Sequence, residues 1–203
     1  MTYEFALSED SGAPWEVTRI WAAEALNRSY RAVIDAASEA ENPDTDSLLG
    51  ANATLKFHRG DTETRSLCGV VSRIDFLGYQ DHLLMVRFHV IPALELLRQR
   101  IDSRIWQEQS AQDLLAEVLG AGLGDYDRSY DPGSDSRGTS PRDYCVQYRG
   151  SDFAFASRLL EAEGISYEFV HDGDAGVEVL TLRDSNEQYG ELANVDGGAE
   201  VPI

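Results

Sequence analysis

The side chains with chemical capacity in this chain are chiefly carboxylates: 36 Asp and Glu stand against 17 Lys and Arg, with four histidines and two cysteines. A glycosidase-like hydrolase would need two of those acids converging across a cleft. Zinc would need Cys and His at paired spacings, and an acyl-transfer serine would need a G-x-S-x-G elbow after a strand. The spacings here meet none of these requirements. Glu39, Glu41, Asn42, Asp44 and Asp46 crowd the segment from Ser38 to Ser47, which lacks the Gly and terminal Glu of a calcium loop and reads as a solvated connection. His58, His82, His89 and His171 have no C-x-x-C or H-x-x-x-H company. His82 and His89 are an odd number of residues apart on one expected strand, so they are expected on opposite faces as ordinary polar strand residues. Gly133-Ser134-Asp135-Ser136-Arg137-Gly138 has the wrong elbow spacing, and Lys56, the single lysine, cannot complete a phosphate loop. No catalytic, cofactor-binding or metal-binding residue is expected.

Charge excludes a second class. At a formal −19 the chain has no basic stripe with which to neutralise phosphates, so nucleic acid is not an expected partner, and the acidity reads as a soluble, self-repelling surface. Cys68 and Cys145 fall in expected strands and read as two buried thiols rather than a disulfide framework, which makes a reducing compartment the default. No basic-then-apolar leader and no apolar run of membrane length are present, so a cytoplasmic start, no signal peptide and no stable membrane insertion are expected. Asn27-Arg28-Ser29 and Asn52-Ala53-Thr54 match a glycosylation triplet without any sign of a secretory route.

The elements that would position these groups can be taken from the hydrophobic periods. Tyr3, Phe5 and Leu7 alternate with polar or small neighbours. Trp15 to Trp21 predicts a longer strand with both faces partly covered, and Tyr30, Ala32, Ile34 and Ala36 give a clean alternating face. Ala53 to Phe57, Leu67 to Phe76 and Leu84 to Val90 complete about six antiparallel strands. Closure into a small barrel would remove the exposed edges of such a meander. Ile91-Pro92 marks the exit into a short helix through Ala93, Leu94 and Leu97.

Ser110 with Asp113 is a capping-box variant heading a helix over 110–119, ended by Gly120 and Gly122. The Asp-, Ser-, Gly- and Pro-rich run from Tyr126 to Thr139 reads as a long surface connection. From Arg142 to about residue 183 the pattern is β-α-β-β. Tyr144, Val146 and Tyr148 share one face of a strand, and Ser151 caps a helix whose apolar stripe is Phe153, Ala156, Leu159 and Leu160. Gly164 ends that helix, and a hairpin turns at Asp172 to Gly176. The fold class is therefore α+β, mainly β: a small antiparallel β-barrel over 1–91 followed by an α+β domain over 92–203.

Two blocks of this sequence carry a resemblance. Arg142-Asp143-Tyr144-Cys145-Val146-Gln147-Tyr148, the Ser151-Asp152-Phe153 helix start, Arg158-Leu159 and Glu161 to Tyr167 form the first. Arg104-Ile105-Trp106-Gln107-Glu108-Gln109-Ser110 with Leu114 and Leu115 forms the second. Together they resemble the VgrG family, the valine-glycine repeat spike proteins of type VI secretion systems, related to phage tail-hub proteins. The resemblance implies the N-terminal hub portion of a contractile injection spike. It implies a homotrimer whose barrels make a pseudo-sixfold ring for the hexameric tail-tube protein, with baseplate proteins, a needle tip protein and effectors as further partners. It also implies that the chain stops before a second barrel and the needle. The machine would be cytoplasmic when assembled and delivered outside or into a target cell on firing. A type VI apparatus, a phage tail and an extracellular injection particle all share such a hub.

Arg104, Trp106, Tyr144, Tyr148, Phe153, Phe155 and Tyr167 are the candidate structural and interface residues. Phe155 lies off the expected helix stripe and is expected to face a neighbouring subunit. Two readings from other classes stand beside the hub: a stand-alone adaptor or chaperone-like module with the hub fold, and a hydrolase using loop carboxylates.

Overall fold

The computed structural model describes residues 2–40, 43–133 and 140–189. Six strands come first: β1 (Thr2–Leu7), β2 (Glu16–Ala25), β3 (Arg28–Ser38), β4 (Asn52–Arg59), β5 (Thr62–Gln80) and β6 (Leu83–Ile91). They pair antiparallel in the order β1-β4-β5-β6-β3-β2. The sheet curls into a half-barrel, and the outermost strands β1 and β2 approach each other without a shared ladder among the described residues. Its concave face is the first core: Tyr30, Ala32, Ile34 and Ala36 of β3 meet Val86, Phe88 and Val90 of β6, with Phe5 and Trp15 closing over Phe88 from the two edges.

The even-odd alternation predicts β3, β4 and β6 well but is interrupted in β2 and β5. A bulge between Val17 and Arg19 reverses parity along β2, so Val17 and Ile20 both turn towards the core while Trp21 is more than half exposed. The strand with two covered faces is thus corrected to an edge strand. His82 is also corrected: it sits in the β5–β6 turn with φ of 68°, and His89 alone of the two lies in the strand.

On the convex face, charges alternate across strands. Arg19 stands opposite Asp35, Asp35 opposite Arg87, and Arg87 opposite Asp75. Arg87 donates to both oxygens of Asp35, at 2.6 and 2.9 Å. Asp75 in turn takes Arg73 at 2.7 Å and His89 at 2.8 Å.

After Pro92 a 3₁₀ turn (Ala93–Gln99) leads to β7 (Ile101–Trp106), a strand that the periodicity does not announce, and to α1 (Ala111–Gly124). The Ser110–Asp113 capping box is present in both directions. The helix runs past both glycines expected to end it. Glycine lowers helix propensity but does not forbid the conformation, and Gly122 fits against Leu97 where a Cβ would come within 2.9 Å of two of its atoms.

Beyond α1, residues 126–133 are less open than a surface connection should be. Arg128 is buried and β8 (Tyr130–Asp131) pairs in parallel with a later strand; Ser134 to Thr139, with most of the near-elbow, lie outside the described residues. Then follow β9 (Cys145–Ser151), α2 (Asp152–Glu163), β10 (Ser166–Asp172) and β11 (Val177–Arg183). Ser151 caps α2 by accepting from the Ala154 N–H, and Gly164 takes the left-handed position with φ of 65°. β7 and β9 make a two-stranded ribbon, and β10, β11 and β8 a small sheet. The second core lies between α1, α2, the 3₁₀ turn and these strands.

Candidate functional site

The candidate residues separate into a buried group and an exposed one. Trp106 and Phe155 stack in the second core with centroids 4.8 Å apart, and Trp106 Nε1 donates to Glu117 at 2.9 Å. Phe155 is 3 % exposed, which corrects its expected outward position. The buried stripe of α2 is Phe155, Ala156, Leu159 and Leu160, because α2 presents to α1 a face one position round from the one its period suggested. Phe153 sits at the rim with the Arg98 guanidinium 3.5 Å from its ring centre. Tyr167 is buried on β10, edge-on to Phe169.

Arg104 is drawn inward rather than outward. It pairs with Asp152, which is 1 % exposed and also receives Arg100 at 3.1 Å and the Gln147 side-chain amide at 2.8 Å. Asp152 occupies the first turn of α2, where free N–H groups favour an anion. The carboxylate thus ties the ribbon to α2.

Tyr144 and Tyr148 form the exposed group. Cys145 and Gln147 face the core, so the alternate residues Tyr144, Val146 and Tyr148 face outwards, with Ile105 of β7 directly opposite Val146. Tyr148 is 71 % and Ile105 63 % exposed. Ile105, Tyr144 and Tyr148 thus leave much of the ribbon's outer face apolar and uncovered. A second patch lies where β5 runs past the end of β4. Phe76 and Tyr79 meet edge to face at 5.8 Å, and Leu49, Ile74 and Phe76 line a groove of about 570 Å³.

A cleft of about 710 Å³ at the β1–β2 seam is lined by Glu4, Glu16 and Glu39, all exposed, with Glu4 facing His58 at 3.5 Å. Among the described residues no group of three or more His, Cys, Asp or Glu could hold a metal. Burial pushes the Cys68 thiol up to about 11, away from nucleophilic use. The most buried acid–base contact, missed by periodicity, is Arg128 with Glu178: the Arg128 Nε donates at 2.9 Å, and Glu178 also accepts the Ala93 N–H at 2.7 Å. Arg128 reaches Asn52 Oδ1 at 2.8 Å, so this pair pins β4, β11 and the 3₁₀ turn together.

Comparison with known proteins places this scaffold. The phage tail baseplate hub (GPD) family model matches residues 23–202. The chain belongs to that family. It is 31% identical over 190 residues to the type VI secretion system spike protein VgrG1b of Pseudomonas aeruginosa, covering 92% of this chain and 24% of that protein. With the actin cross-linking toxin VgrG1 of Vibrio cholerae it shares 30% identity over 181 residues, covering 85% of this chain and 16% of the toxin.

The hub fold is matched by the E. coli c3393 protein, a type VI secretion component with structural similarity to T4 tail proteins gp27 and gp5. The TM-score is 0.79 at 22% identity, over 93% of this chain and 51% of that one. The prophage MuSo2 43 kDa tail protein of Shewanella oneidensis gives 0.57 at 12%, over 89% and 53%. The chain spans about a quarter or less of the length of these curated relatives. The resemblance to VgrG therefore holds over most of the chain, and hub and spike relatives share the half-barrel and the α+β part described above. Among the described residues no helix is long and apolar enough to cross a membrane.

Proposed function

We propose that this chain is the hub portion of a type VI-like injection spike, that three copies assemble around the needle axis, and that the assembly docks on a hexameric tail tube. Support comes above all from the hub-family match over residues 23–202, carried on a scaffold in which Asp35 is paired with Arg87, Asp152 with Arg100 and Arg104, and Glu178 with Arg128. Such pairs hold strands and helices in place. The role is mechanical, with baseplate proteins, a needle tip and effectors as further partners of the whole spike. The assembled machine sits in the cytoplasm and its spike leaves on firing.

The ribbon face of Ile105, Tyr144, Val146 and Tyr148 is the surface we assign to assembly, alongside the Phe76–Tyr79 patch. Light scattering on the purified chain, alone and with tail-tube rings, tests the reading. A mass of three copies that binds the rings is expected. A chain that stays monomeric at high concentration and leaves the rings unbound overturns it.

A further inference from the structure

The β7–β9 ribbon is covered on one side only. Its outer side chains Ile105, Tyr144 and Tyr148 are 63 %, 57 % and 71 % exposed. Two exposed arginines border them: the Arg149 guanidinium lies 5.4 Å from the Tyr148 ring centre, and Arg158 reaches across from α2 to donate to the Val146 carbonyl at 2.7 Å. Among the described residues neither forms an ion pair, whereas the nearby acids Asp102 and Glu163 are taken by Arg104 and Arg142. In a chain of 36 acids against 17 bases, this border is basic and aromatic. The seam between β1 and β2 has the opposite character. The floor of its cleft of about 710 Å³ includes Phe5 and Trp15, which pack on Phe88 from one side and stay half-buried, with exposed Glu4, Glu16 and Glu39 at the rim. Glu16 and Glu39 form no ion pair among the described residues.

We propose that the ribbon of one copy docks into the seam cleft of a second copy of this chain: Ile105, Tyr144 and Tyr148 cover Phe5 and Trp15, while Arg149 and Arg158 pair with Glu16 and Glu39. The inference rests on the three-copy reading above and names the two surfaces that meet. Tyrosine and arginine suit such a joint. A tyrosine buries its ring and still offers a hydroxyl to a rim carboxylate, and the arginine fork donates to both oxygens of one acid.

Charge complementarity selects this occupant. Ribbon against ribbon sets arginine against arginine, and cleft against cleft sets glutamates against glutamates, so contacts between like surfaces are disfavoured. Ribbon against cleft joins opposite signs around an apolar centre. Such a joint uses a different surface on each copy. It is heterologous, the arrangement by which three copies close a ring when the rotation fits, whereas a self-complementary patch stops at pairs.

Sedimentation equilibrium on charge-reversed chains reads the joint. Arg149→Glu with Arg158→Glu is expected to weaken self-association by about tenfold or more, because like charges then face each other. Glu16→Arg with Glu39→Arg is expected to weaken it as much. That second result runs against net charge: each reversal adds two positive charges, taking the chain from −19 to −15, and reduced self-repulsion alone would tighten association. The chain with all four reversals returns to −19 and is expected to associate within about threefold of the natural one, as coupled partners should. Unchanged or tightened association in the cleft variant overturns the docking and leaves the three-copy reading in place. So does unchanged association in the ribbon variant, or no recovery in a four-reversal chain whose urea midpoint is natural. Should the four-reversal chain not fold, the sign of the cleft variant's effect decides. A natural chain that stays monomeric at high concentration overturns both readings.

Discussion

Val70 and Val71 are neighbours in β5 and feed different cores: Val70 packs with α1, α2 and β11, Val71 inside the half-barrel. One strand thus carries both hydrophobic clusters, and Phe169 touches both from the other side. Loss of either core removes one face of β5, so the halves expected over 1–91 and 92–203 should melt together. Denaturation followed separately by Trp15 and Trp106, in variants keeping one tryptophan each, should give coincident curves. Two separated transitions would show that β5 does not couple them.

Gly120 and Gly122 of α1 have opposite surroundings. A Cβ on Gly120 meets nothing within 4 Å, whereas one on Gly122 runs into Leu97. Gly120→Ala should stabilise by about 0.8–1 kcal/mol, the propensity difference at an exposed helical site. Gly122→Ala should destabilise by about 1–3 kcal/mol through overpacking. Urea midpoints at constant slope check both signs.

Asp35 lies nearly buried on the convex face, and its hydrogen bonds from Arg87 hold its carboxyl below the ordinary 3.8. A depressed carboxylate contributes stability that is present above its unfolded value and lost as pH falls through the folded one. Replacing Arg87 by Met should therefore lower the urea midpoint clearly at pH 7. The difference should shrink progressively below pH 3.8, where Asp35 protonates in both proteins. A difference independent of pH would mean that Arg87 acts through packing alone.

Phe155 and Phe153 differ by two positions on α2 and by their whole environment. Phe155→Ala empties a site stacked on Trp106 and should cost about 3–5 kcal/mol. Phe153→Ala removes a rim contact with Arg98 and should cost about 1 kcal/mol or less, within the cation–π range. Chemical denaturation of the two variants side by side tests the assignment of the helix face.

Tyr148→Ser and Ile105→Ser on the ribbon face should leave the urea midpoint nearly unchanged, within about 0.5 kcal/mol. On the assembly reading they should weaken self-association in sedimentation experiments. A large loss of stability with unaltered association would assign the face to folding instead.

Much of this was legible in residues taken alone. Ser110, Ser151 and Gly164 delimit their helices because capping is local chemistry, decided within four residues of chain. The faces of β3 and β6 follow from strict alternation, and the hub lineage follows from blocks around Arg104 and Arg142. Illegible were the β2 and β5 bulges, β7, and the partnership of Arg128 with Glu178, because each depends on what another strand or helix offers.

Sequence by itself determined most of the first sheet's strands, where α1 and α2 start, and the acidic surface, since those are properties of short runs and of composition. Tertiary structure decided which face of α2 is buried, why Tyr148 is exposed while Phe155 is not, and how His171 comes to hold the Cys68 backbone. These depend on groups far apart in the chain, and only the packing of one core against the other brings them within hydrogen-bond or van der Waals distance.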